Sequence, residues 1–537
     1  MHHSTHRTMV AILALAFFPG KGASAQRPAA HSATGAVHFG VSCSPEAGAE
    51  FDRGVTLLHH MTYPRARESF ERVAALDPAC AMAHWGIAMT LFQPLWPTRP
   101  GPADLDRGWK EIGTVRSIGR VTERERLLVD AAAAFFEHPD STDYWARIRR
   151  WEQGMERAWR AFPNDDDVAT LYALAHLAVA PTDSGARAYS DSAAGILLAV
   201  LRRHPGHPGA EHYLVHANDA PGREHQSLEV VREYETIAPE NPHALHMPTH
   251  IYVRLGDWDA AVRGNLRSAA AALRFPAGAH GELVWDEFPH AMEYLIYALL
   301  QQGADDEAGG QLRRLQETRQ LQPSFKTAFH LASTRARYAL ERHAWVEAMA
   351  LPVREPSSLE WDRFPWAEAV SWFARGLGAA HQSRPAVADS AGARLGVLEA
   401  RADSSGEQLF ARNIRILRLE LAAWQAGAAG RRDSSVGLME QAAALERSTP
   451  KPAVTPGPTI PAEELLGDLL LMQSRPHEAL AAYERSLALY PRRFNSLLGA
   501  VRAARRAGDE AATHARSREL IAVAGSGRRA ALAEARR

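Results

Sequence analysis

Along most of the chain, apolar residues recur every three or four positions with polar residues between them. This spacing places the apolar side chains on one face of an α-helix. Runs of alternating β-branched residues bounded by hairpin turns, which would indicate strands, are nearly absent. The pattern predicts an all-α fold of roughly seven to nine helical pairs, several of them recognisable only by their amphipathic period.

Two segments repeat one spacing of a glycine, an alanine, an aromatic residue and a proline. The residues are Gly54, Ala66, Phe70 and Pro78 near the start, and Gly467, Ala479, Tyr483 and Pro491 near the end. The steps are 12, 4 and 8 residues in both segments. The spacing resembles the tetratricopeptide repeat (TPR), which is two antiparallel helices in 34 residues. The resemblance implies a right-handed superhelical array of antiparallel helix pairs, a solenoid with a concave groove.

A histidine pair recurs at the repeat length. The segments AEHYLVH and ALHMPTH contain His212 and His216, then His246 and His250, and each residue of the first pair lies 34 before its counterpart. His243 lies three before His246, on the same helical stripe. In the register of a TPR array these positions face the groove, so the five imidazoles are expected to converge there.

One repeat later, His290 and Glu293 occupy the places that match His243 and His246. The predicted groove site therefore consists of His212, His216, His243, His246, His250, His290 and Glu293. Imidazoles gathered in this way would repel one another when charged, so they should titrate below the usual value of about 6.5.

The histidine pairs suggest a metal site, because two histidines four apart on a helix can bind one ion. A facing pair from the next repeat would complete a nitrogen-rich site for Zn²⁺ or Cu²⁺, with His212, His216, His246 and His250 as its ligands. Nearby carboxylates could accept hydrogen bonds from the imidazoles: Glu211, Asp219, Glu224 and Glu293. The alternative is that these histidines hydrogen-bond across helices or contact a bound peptide.

The sequence assigns no catalytic residue. It contains no HExxH motif, so neither the general base nor the open coordination position of a metallohydrolase is evident. It also contains no GxSxG motif, no P-loop, and no GxGxxG motif between a strand and a helix.

The cysteines are predicted to form a disulfide. Cys43 precedes the first helix of the first repeat and Cys80 follows its second helix. In an antiparallel pair those two ends lie close together, so a bridge could cap the array.

The N-terminus has the pattern of a secretory signal, with the apolar run MVAILALAFF followed by ASA before Gln26. The predicted organisation is a signal peptide over 1–25, a flexible tail over 26–45 and a main array over 46–447. A proline-rich linker over 448–462 and C-terminal repeats over 463–537 follow. The expected location is periplasmic or secreted, and no stretch of the mature chain is expected to span a membrane.

The charges are balanced, with 61 Lys and Arg against 62 Asp and Glu in 537 residues. This balance gives no electrostatic case for binding nucleic acid or an anionic membrane.

The wider layout, with DPACAMAHWGIAM, TERERLLVDAAAAF, HPGAEHYLVHANDAP and PHALHMPTHIYVRLGDWD, resembles a group of exported bacterial TPR proteins. The resemblance covers roughly residues 45–300 and implies the fold and export, with no assigned reaction. Two functional hypotheses follow. The first is an exported TPR scaffold that binds a peptide or protein segment in its groove. The second is a metal-binding protein or metalloenzyme that uses the histidines.

Overall fold

Successive helices fold back on one another along the chain. The computed structural model describes Met1 and residues 37–138, 143–278 and 281–537. Its helices are α1 Pro45–His59, α2 Tyr63–Leu76, α3 Ala81–Met89, α4 Pro102–Ile118, α5 Glu123–Phe136, α6 Tyr144–Ala161, α7 Asp166–Ala178, α8 Ala186–Arg203, α9 Pro208–Asn218, α10 Leu228–Ile237, α11 Pro242–His246, α12 Pro248–Leu255, α13 Trp258–Ala272, α14 Glu287–Gln301, α15 Asp305–Glu317, α16 Phe325–Leu340, α17 Trp345–Met349, α18 Pro365–His381, α19 Pro385–Ser404, α20 Gln408–Ala428, α21 Arg432–Arg447, α22 Ala462–Met472, α23 Pro476–Leu489, α24 Phe494–Ala507, α25 Glu510–Ala524 and α26 Leu532–Arg536.

Short elements complete the described chain. Two 3₁₀ turns cover Glu224–Ser227 and Trp361–Arg363. Strands β1 (Pro276–Ala277) and β2 (Leu283–Val284) form a two-residue antiparallel hairpin. The fold is therefore all-α, as predicted, with one minimal hairpin between α13 and α14.

An aromatic ring held between two glycines explains the spacing of 12, 4 and 8 residues. A Cβ built on Gly54 would lie 2.7 Å from the Phe70 ring, and one on Gly86 of the following helix would overlap the same ring. At the other end of the chain, Gly467 and Gly499 enclose the ring of Tyr483 in the same way. Each aromatic residue thus joins its own first helix to that of the next pair, which is how a TPR-like array stacks.

The first helices of successive pairs also pack on one another, in the series α14, α16, α18, α20, α22 and α24. The array then curls until distant parts meet. Helix α24 packs on α14, and Trp258 Nε1 donates to the carbonyl oxygen of Arg492 at 2.9 Å. Arg493 is fully buried, and its guanidinium donates to both Glu341 and Glu464. The described residues from 37 onward accordingly form one compact unit.

The proline-rich segment 448–462 forms turns and bends up to the start of α22 at Ala462, and it does not act as a spacer. Val454, Thr455 and Ile460 are buried, and Arg337 of α16 donates to the carbonyl oxygens of Gly457 and Pro458 at 2.7 and 2.8 Å. Prolines lack an N–H group, so burying this backbone leaves few donors unpaired. The segment therefore lies against the inner surface of the array that it was expected to connect.

The flexible tail predicted over 26–45 also needs correction. Residues 2–36, which include almost all of the predicted signal peptide, lie outside the described residues. From residue 37 onward the chain is packed, since Val37 and Phe39 are buried and the Phe39 ring lies 5.4 Å from that of Trp85. The backbone N–H of Phe39 donates to Asp52 at 3.0 Å, and this contact fixes the segment on α1.

Cys43 and Cys80 lie at the neighbouring ends of the first helical pair. Their Cα atoms are 4.8 Å apart, and the structure joins the two side chains as a disulfide. This separation is within the range for such bonds. Among the described residues, no helix combines the length and apolar character needed to cross a bilayer.

Replacing Gly86 by Ala should destabilise the protein by about 1–3 kcal/mol, because the new methyl group overlaps a ring that Gly54 confines from the other side. The matched control is Gly113→Ala on the exposed face of α4, where a Cβ would meet nothing within 4 Å. That change should stabilise the protein by about 0.5–1 kcal/mol through helix propensity. Urea unfolding measures the free energy of unfolding of both variants. An equal change in the two variants would contradict the packing of the Phe70 ring described above.

Candidate metal centre

The histidines come from five helices that meet on the inner side of the array. His212 and His216 lie on α9, His243 and His246 on α11, and His250 on α12. His290 on α14 and His330 on α16 extend the row. Pro248 separates α11 from α12 because it lacks an N–H group, yet the backbone of Met247 stays helical. His246 and His250 therefore keep the same face across the break.

Three imidazoles form the first histidine group, which consists of His212, His216 and His243. The Nε2 atom of His212 lies 3.1 Å from Nε2 of His216 and 3.1 Å from Nε2 of His243. His212 and His243 are fully buried and His216 is partly exposed. Each residue offers one nitrogen within 4.8 Å of the other two.

The second histidine group consists of His246, His250 and His290. Nε2 of His246 lies 3.0 Å from Nε2 of His250, and the ring of His290 lies 4.2 Å from that of His246 between centroids. All three are buried, and each offers one nitrogen within 4.8 Å of the others. The groups are neighbours, since the rings of His216 and His250 are 5.8 Å apart.

Acceptors on the far side of the rings assign the tautomers. The Nδ1 atom of His212 lies 2.5 Å from the carbonyl oxygen of His59, and that of His243 lies 2.8 Å from Glu287. Nδ1 of His250 lies 2.7 Å from Asp219. A carbonyl or carboxylate oxygen only accepts, so each Nδ1 carries a proton, and in the neutral imidazole each Nε2 then keeps a bare lone pair.

The tautomer of His246 is assigned in the same way, with a side-chain amide as the acceptor. Its Nδ1 atom lies 2.7 Å from Oδ1 of Asn265, whose Nδ2 donates to the carbonyl oxygen of Ala261 at 2.8 Å. That second bond orients the amide, so Oδ1 must be the group that faces the imidazole. Nε2 of His246 is therefore also unprotonated, and it faces the unprotonated Nε2 of His250.

A relay fixes the third imidazole of the second group. Glu293 accepts from Nδ1 of His330 at 2.5 Å, and Nε2 of His330 lies 3.0 Å from Nδ1 of His290. Because His330 Nδ1 carries its proton, His330 Nε2 accepts from His290 Nδ1. Nε2 of His290 is then bare, and it is buried with no hydrogen-bond partner among the described residues.

The anchoring carboxylates are charged. Burial raises the pKa of Glu287, but Lys326, whose Nζ lies 2.7 Å away, and His243 outweigh it and hold that pKa well below its usual range. Burial opposes ionisation of Asp219 too, and the ion pairs with Lys451 and Arg254 prevail, so its pKa is lowered. Both acids therefore accept hydrogen bonds and donate none.

Facing lone pairs only 3.0–3.1 Å apart, as between His212 and His243 and between His246 and His250, repel each other unless a cation lies between them. A proton is disfavoured, because burial first and the neighbouring imidazoles second lower the pKa of His212, His216 and His246 well below the usual value. A metal ion fits instead. Ligands at the usual Zn–N distance of about 2.0–2.1 Å in a tetrahedron lie about 3.3 Å apart.

A third group of potential ligands consists of His59, Asp167 and His207, and its His207 has no ring nitrogen with a free lone pair. Nδ1 of His207 accepts from the backbone N–H of Ala210 at 3.2 Å, and its Nε2 lies 3.2 Å from Asp167. Both nitrogens are therefore used, so His207 has no lone pair left for an ion. The tautomers thus separate the two histidine groups from a cluster of similar composition.

The structure divides the predicted ligands differently from the sequence analysis. One four-histidine site was expected from His212, His216, His246 and His250. The structure places the first two with His243 and the other two with His290. The interval of 34 residues places the two histidine pairs in adjacent repeats. A histidine from a neighbouring helix, His243 or His290, completes each group.

The predicted acceptors are partly correct. Asp219 and Glu293 do anchor imidazoles, whereas Glu211 and Glu224 each keep one carboxyl oxygen without a partner among the described residues. Burial raises the pKa of Glu211 to about 9, and it is not one of the anchors described above. Glu287 was missed, although it lies three residues before His290, as His243 lies before His246.

Aromatic rings surround the histidine groups and two pockets reach them. The Trp96 ring lies 5.4 Å from that of His243, and the Tyr294 ring 4.6 Å from that of His246. The first pocket has a volume of about 400 Å³ and the second about 210 Å³. His216 and Lys451 line both pockets, so the first group is the one that solvent and ligands reach.

Comparison with known proteins gives neither a family nor a curated relative. A scan against protein-family models gives no match, and neither does a search of curated proteins. Similar solved structures include the human IFIT1 dimer with PPP-AAAA, at 11% identity and TM-score 0.38, over 83% of this chain and 91% of that one. The human IFIT1 dimer with m7Gppp-AAAA gives 11% and 0.40, over 83% and 90%, and the APC/C hetero-tetramer Cut9–Hcn1 gives 12% and 0.29, over 92% and 96%. At these TM-scores the likeness carries no argument, and the helix pairing within this chain itself defines the class as a TPR-like α-helical solenoid.

Acid should destabilise the metal-free protein through these imidazoles. Burial, opposed by Asp219, lowers the pKa of His250 to about 4, so the unfolded chain binds that proton first as pH falls. Neutral His250 makes its full contribution to the free energy of unfolding above about pH 6.5 and loses it as the pH falls towards about 4. The loss amounts to roughly 3 kcal/mol for this residue. In chelator-treated protein, His250→Asn should reduce the loss by that amount, while His514→Asn on the exposed face of α25 should not. Identical urea-unfolding curves against pH for both variants would exclude a neutral buried His250.

Proposed function

We propose that this protein binds two neighbouring metal ions, zinc or copper, one in each histidine group. The observation that carries the proposal is the set of bare Nε2 atoms, three in the second group and at least two in the first, that face one another with no proton available between them. Neutral imidazole nitrogen is a favoured ligand for both metals. Oriented Nδ1–H donors to carboxylates are the usual support for such ligands.

The coordination number favours a reactive centre over a purely structural one. Three protein nitrogens leave one tetrahedral position free, whereas structural zinc sites fill all four. The free position of the first group would face the pockets, because His216 borders both of them. An ion there would act as a Lewis acid and would lower the pKa of a bound water. The proposed class is therefore a metal-dependent enzyme, with hydrolysis as the simplest reaction for such an ion.

This chain's own residues would support that chemistry in stated ways. Lys451 Nζ lies 2.7 Å from Asp219 and within 3.5 Å of the Tyr294 hydroxyl, at the edge of the pockets. Burial, opposed by Asp219, lowers the pKa of Lys451 to about 8, so it can exchange a proton near neutral pH. Trp96 and Tyr294 keep water away from the buried imidazoles.

The second candidate is the peptide-binding scaffold. It is favoured by one observation, that the array already holds a proline-containing segment, residues 448–462, through the Arg337 side chain. A partner peptide would have to displace this segment or bind beside it. In either case we propose an exported protein, on the strength of the N-terminal sequence and the placement of Cys43 against Cys80.

Metal content after purification without a histidine tag tests the main proposal. The wild-type chain should retain about two ions of zinc or copper per molecule, one for each three-histidine group. His212→Ala and His246→Ala should each lower the content to about one, because each removes a central ligand from one group. Elemental analysis by mass spectrometry measures the ratio.

Two controls make that result specific. His207→Asn keeps the helix cap but alters the third group, so it should leave about two ions bound. Replacing His2, His3 and His6 together by Ala excludes binding by the N-terminal sequence. A wild-type chain that holds less than about 0.1 ion per molecule after incubation with a molar excess of ZnCl₂ or CuCl₂ would contradict the proposal.

A further inference from the structure

The first pocket is lined by two carboxyl groups as well as by His216. Glu420 lies on α20 and Glu446 at the end of α21. Glu420 is fully buried, and both of its carboxyl oxygens lack a hydrogen-bond partner among the described residues. Glu446 is anchored, since it accepts from the backbone N–H of Ala462 and from the Tyr490 hydroxyl, both at 3.2 Å. The pocket thus presents one fixed carboxyl and one unpartnered carboxyl.

The cations around this end of the pocket are engaged by other acids. Arg447 pairs with Glu463, Arg337 with Glu293, and Lys451 and Arg254 with Asp219. Leaving a buried carboxyl without any hydrogen-bond partner destabilises the folded protein, because its hydration is lost and nothing replaces it. A buried carboxyl without a partner on a pocket wall therefore indicates a ligand that donates the hydrogen bonds that the protein does not supply.

We propose that the Glu420–Glu446 end of the first pocket binds the protonated amino group of a small organic ligand. An ammonium group offers three N–H donors, which match the two bare oxygens of Glu420 and the free capacity of Glu446. Phe329, Trp366 and Tyr490 line the same pocket and offer apolar and aromatic surface for an alkyl chain and its cation. About 400 Å³ is the size of a small-molecule site.

This inference does not depend on the metal, because Glu420 and Glu446 belong to a different set of residues. His216 lines the same pocket, so if both proposals hold, a ligand held by its amine would lie in the pocket that reaches the first histidine group. The substrate class of the proposed enzyme would then be an amine-bearing compound.

Binding should release a proton. Burial, and then the charge of Glu446, raise the pKa of Glu420 well above its usual range, and burial raises that of Glu446 to about 7. The empty pocket therefore holds Glu420 as a neutral acid. When R–NH₃⁺ enters, the Glu420 O–H bond breaks, its proton goes to solvent, and the ammonium keeps all three of its own. Affinity should accordingly rise with pH until the amine itself deprotonates.

Other titratable groups around Glu420 do not neutralise the negative charge that its carboxyl acquires when it releases the proton. They are Glu446 and Arg447 of α21, Glu463 and Glu464 of α22, Glu399 of α19, Glu368 and His381 of α18, and, across the pocket, Asp219, Arg254, Arg337 and Lys451. The acids among them other than Glu446 have arginine or lysine partners. His381 is neutral, because burial lowers its pKa to about 3.

Calorimetric titration of the full chain with n-butylamine, with n-butanol as the uncharged probe, tests the proposal. The titration is run in two buffers of different ionisation enthalpy that contain no primary amine, with and without bound zinc. Wild type should bind butylamine with release of close to one proton and bind butanol at least tenfold more weakly. Glu420→Gln should weaken amine binding at least tenfold and abolish the proton release.

The matched control is Asp468→Asn, which changes a carboxyl whose pKa burial also raises to about 7 but which does not line the pocket. It should leave amine binding unchanged. Equal affinity of wild type and Glu420→Gln for butylamine, or equal affinity of wild type for butylamine and butanol, would overturn the proposal. If Glu420→Gln does not fold, the pH profile of the wild type decides, and an affinity that stays flat from about pH 6 to about pH 9 overturns the proposal as well. Loss of zinc with retained amine binding would count against the metal proposal only.

Discussion

The structure depends on one constraint, that buried imidazoles face each other through nitrogens that carry no proton. Acceptors behind the rings, namely the His59 carbonyl, Glu287, Asn265 and Asp219, hold the protons on Nδ1. Burial in turn lowers the pKa of His212 and His246 and keeps these two rings neutral. A core arranged in this way is unfavourable by itself, because lone pairs repel and buried polar groups need partners. The metal ions that we propose would offset this cost by filling the space between the nitrogens.

The anchors connect the histidine groups to the rest of the array. Asp219 binds His250 on one side, and Arg254 and Lys451 on the other. Lys451 belongs to the segment 448–462, so the same carboxylate fixes that segment on the inner surface. Glu293 likewise joins the His330 relay to Arg337, whose other donors reach residues 455–458. Breaking one buried partner would leave the others uncompensated, so the groups should respond to substitution as a unit.

The sequence predicted the parts of this arrangement that are set by local spacing. The steps between Gly54, Ala66 and Phe70 are fixed by how two helices cross, and the interval of 34 between His212 and His246 follows from stacking. It did not predict that His290 would complete the second group, or that residues 448–462 would fold inward. Both depend on how far the array curls, which is decided by distant contacts such as Trp258 with Arg492. Glu287 was missed because a single acid in a helix most often lies on a solvated face.

The tautomers of the histidines are the most direct test of this account. A long-range ¹H–¹⁵N spectrum of metal-free protein labelled at histidine, recorded at neutral pH, reports which ring nitrogen carries the proton. The account predicts protonated Nδ1 and bare Nε2 for His212, His243, His246, His250 and His290, with the Nε2 resonances shifting when zinc is added. Protonated Nε2 atoms, or charged imidazolium rings, at these five positions would contradict it.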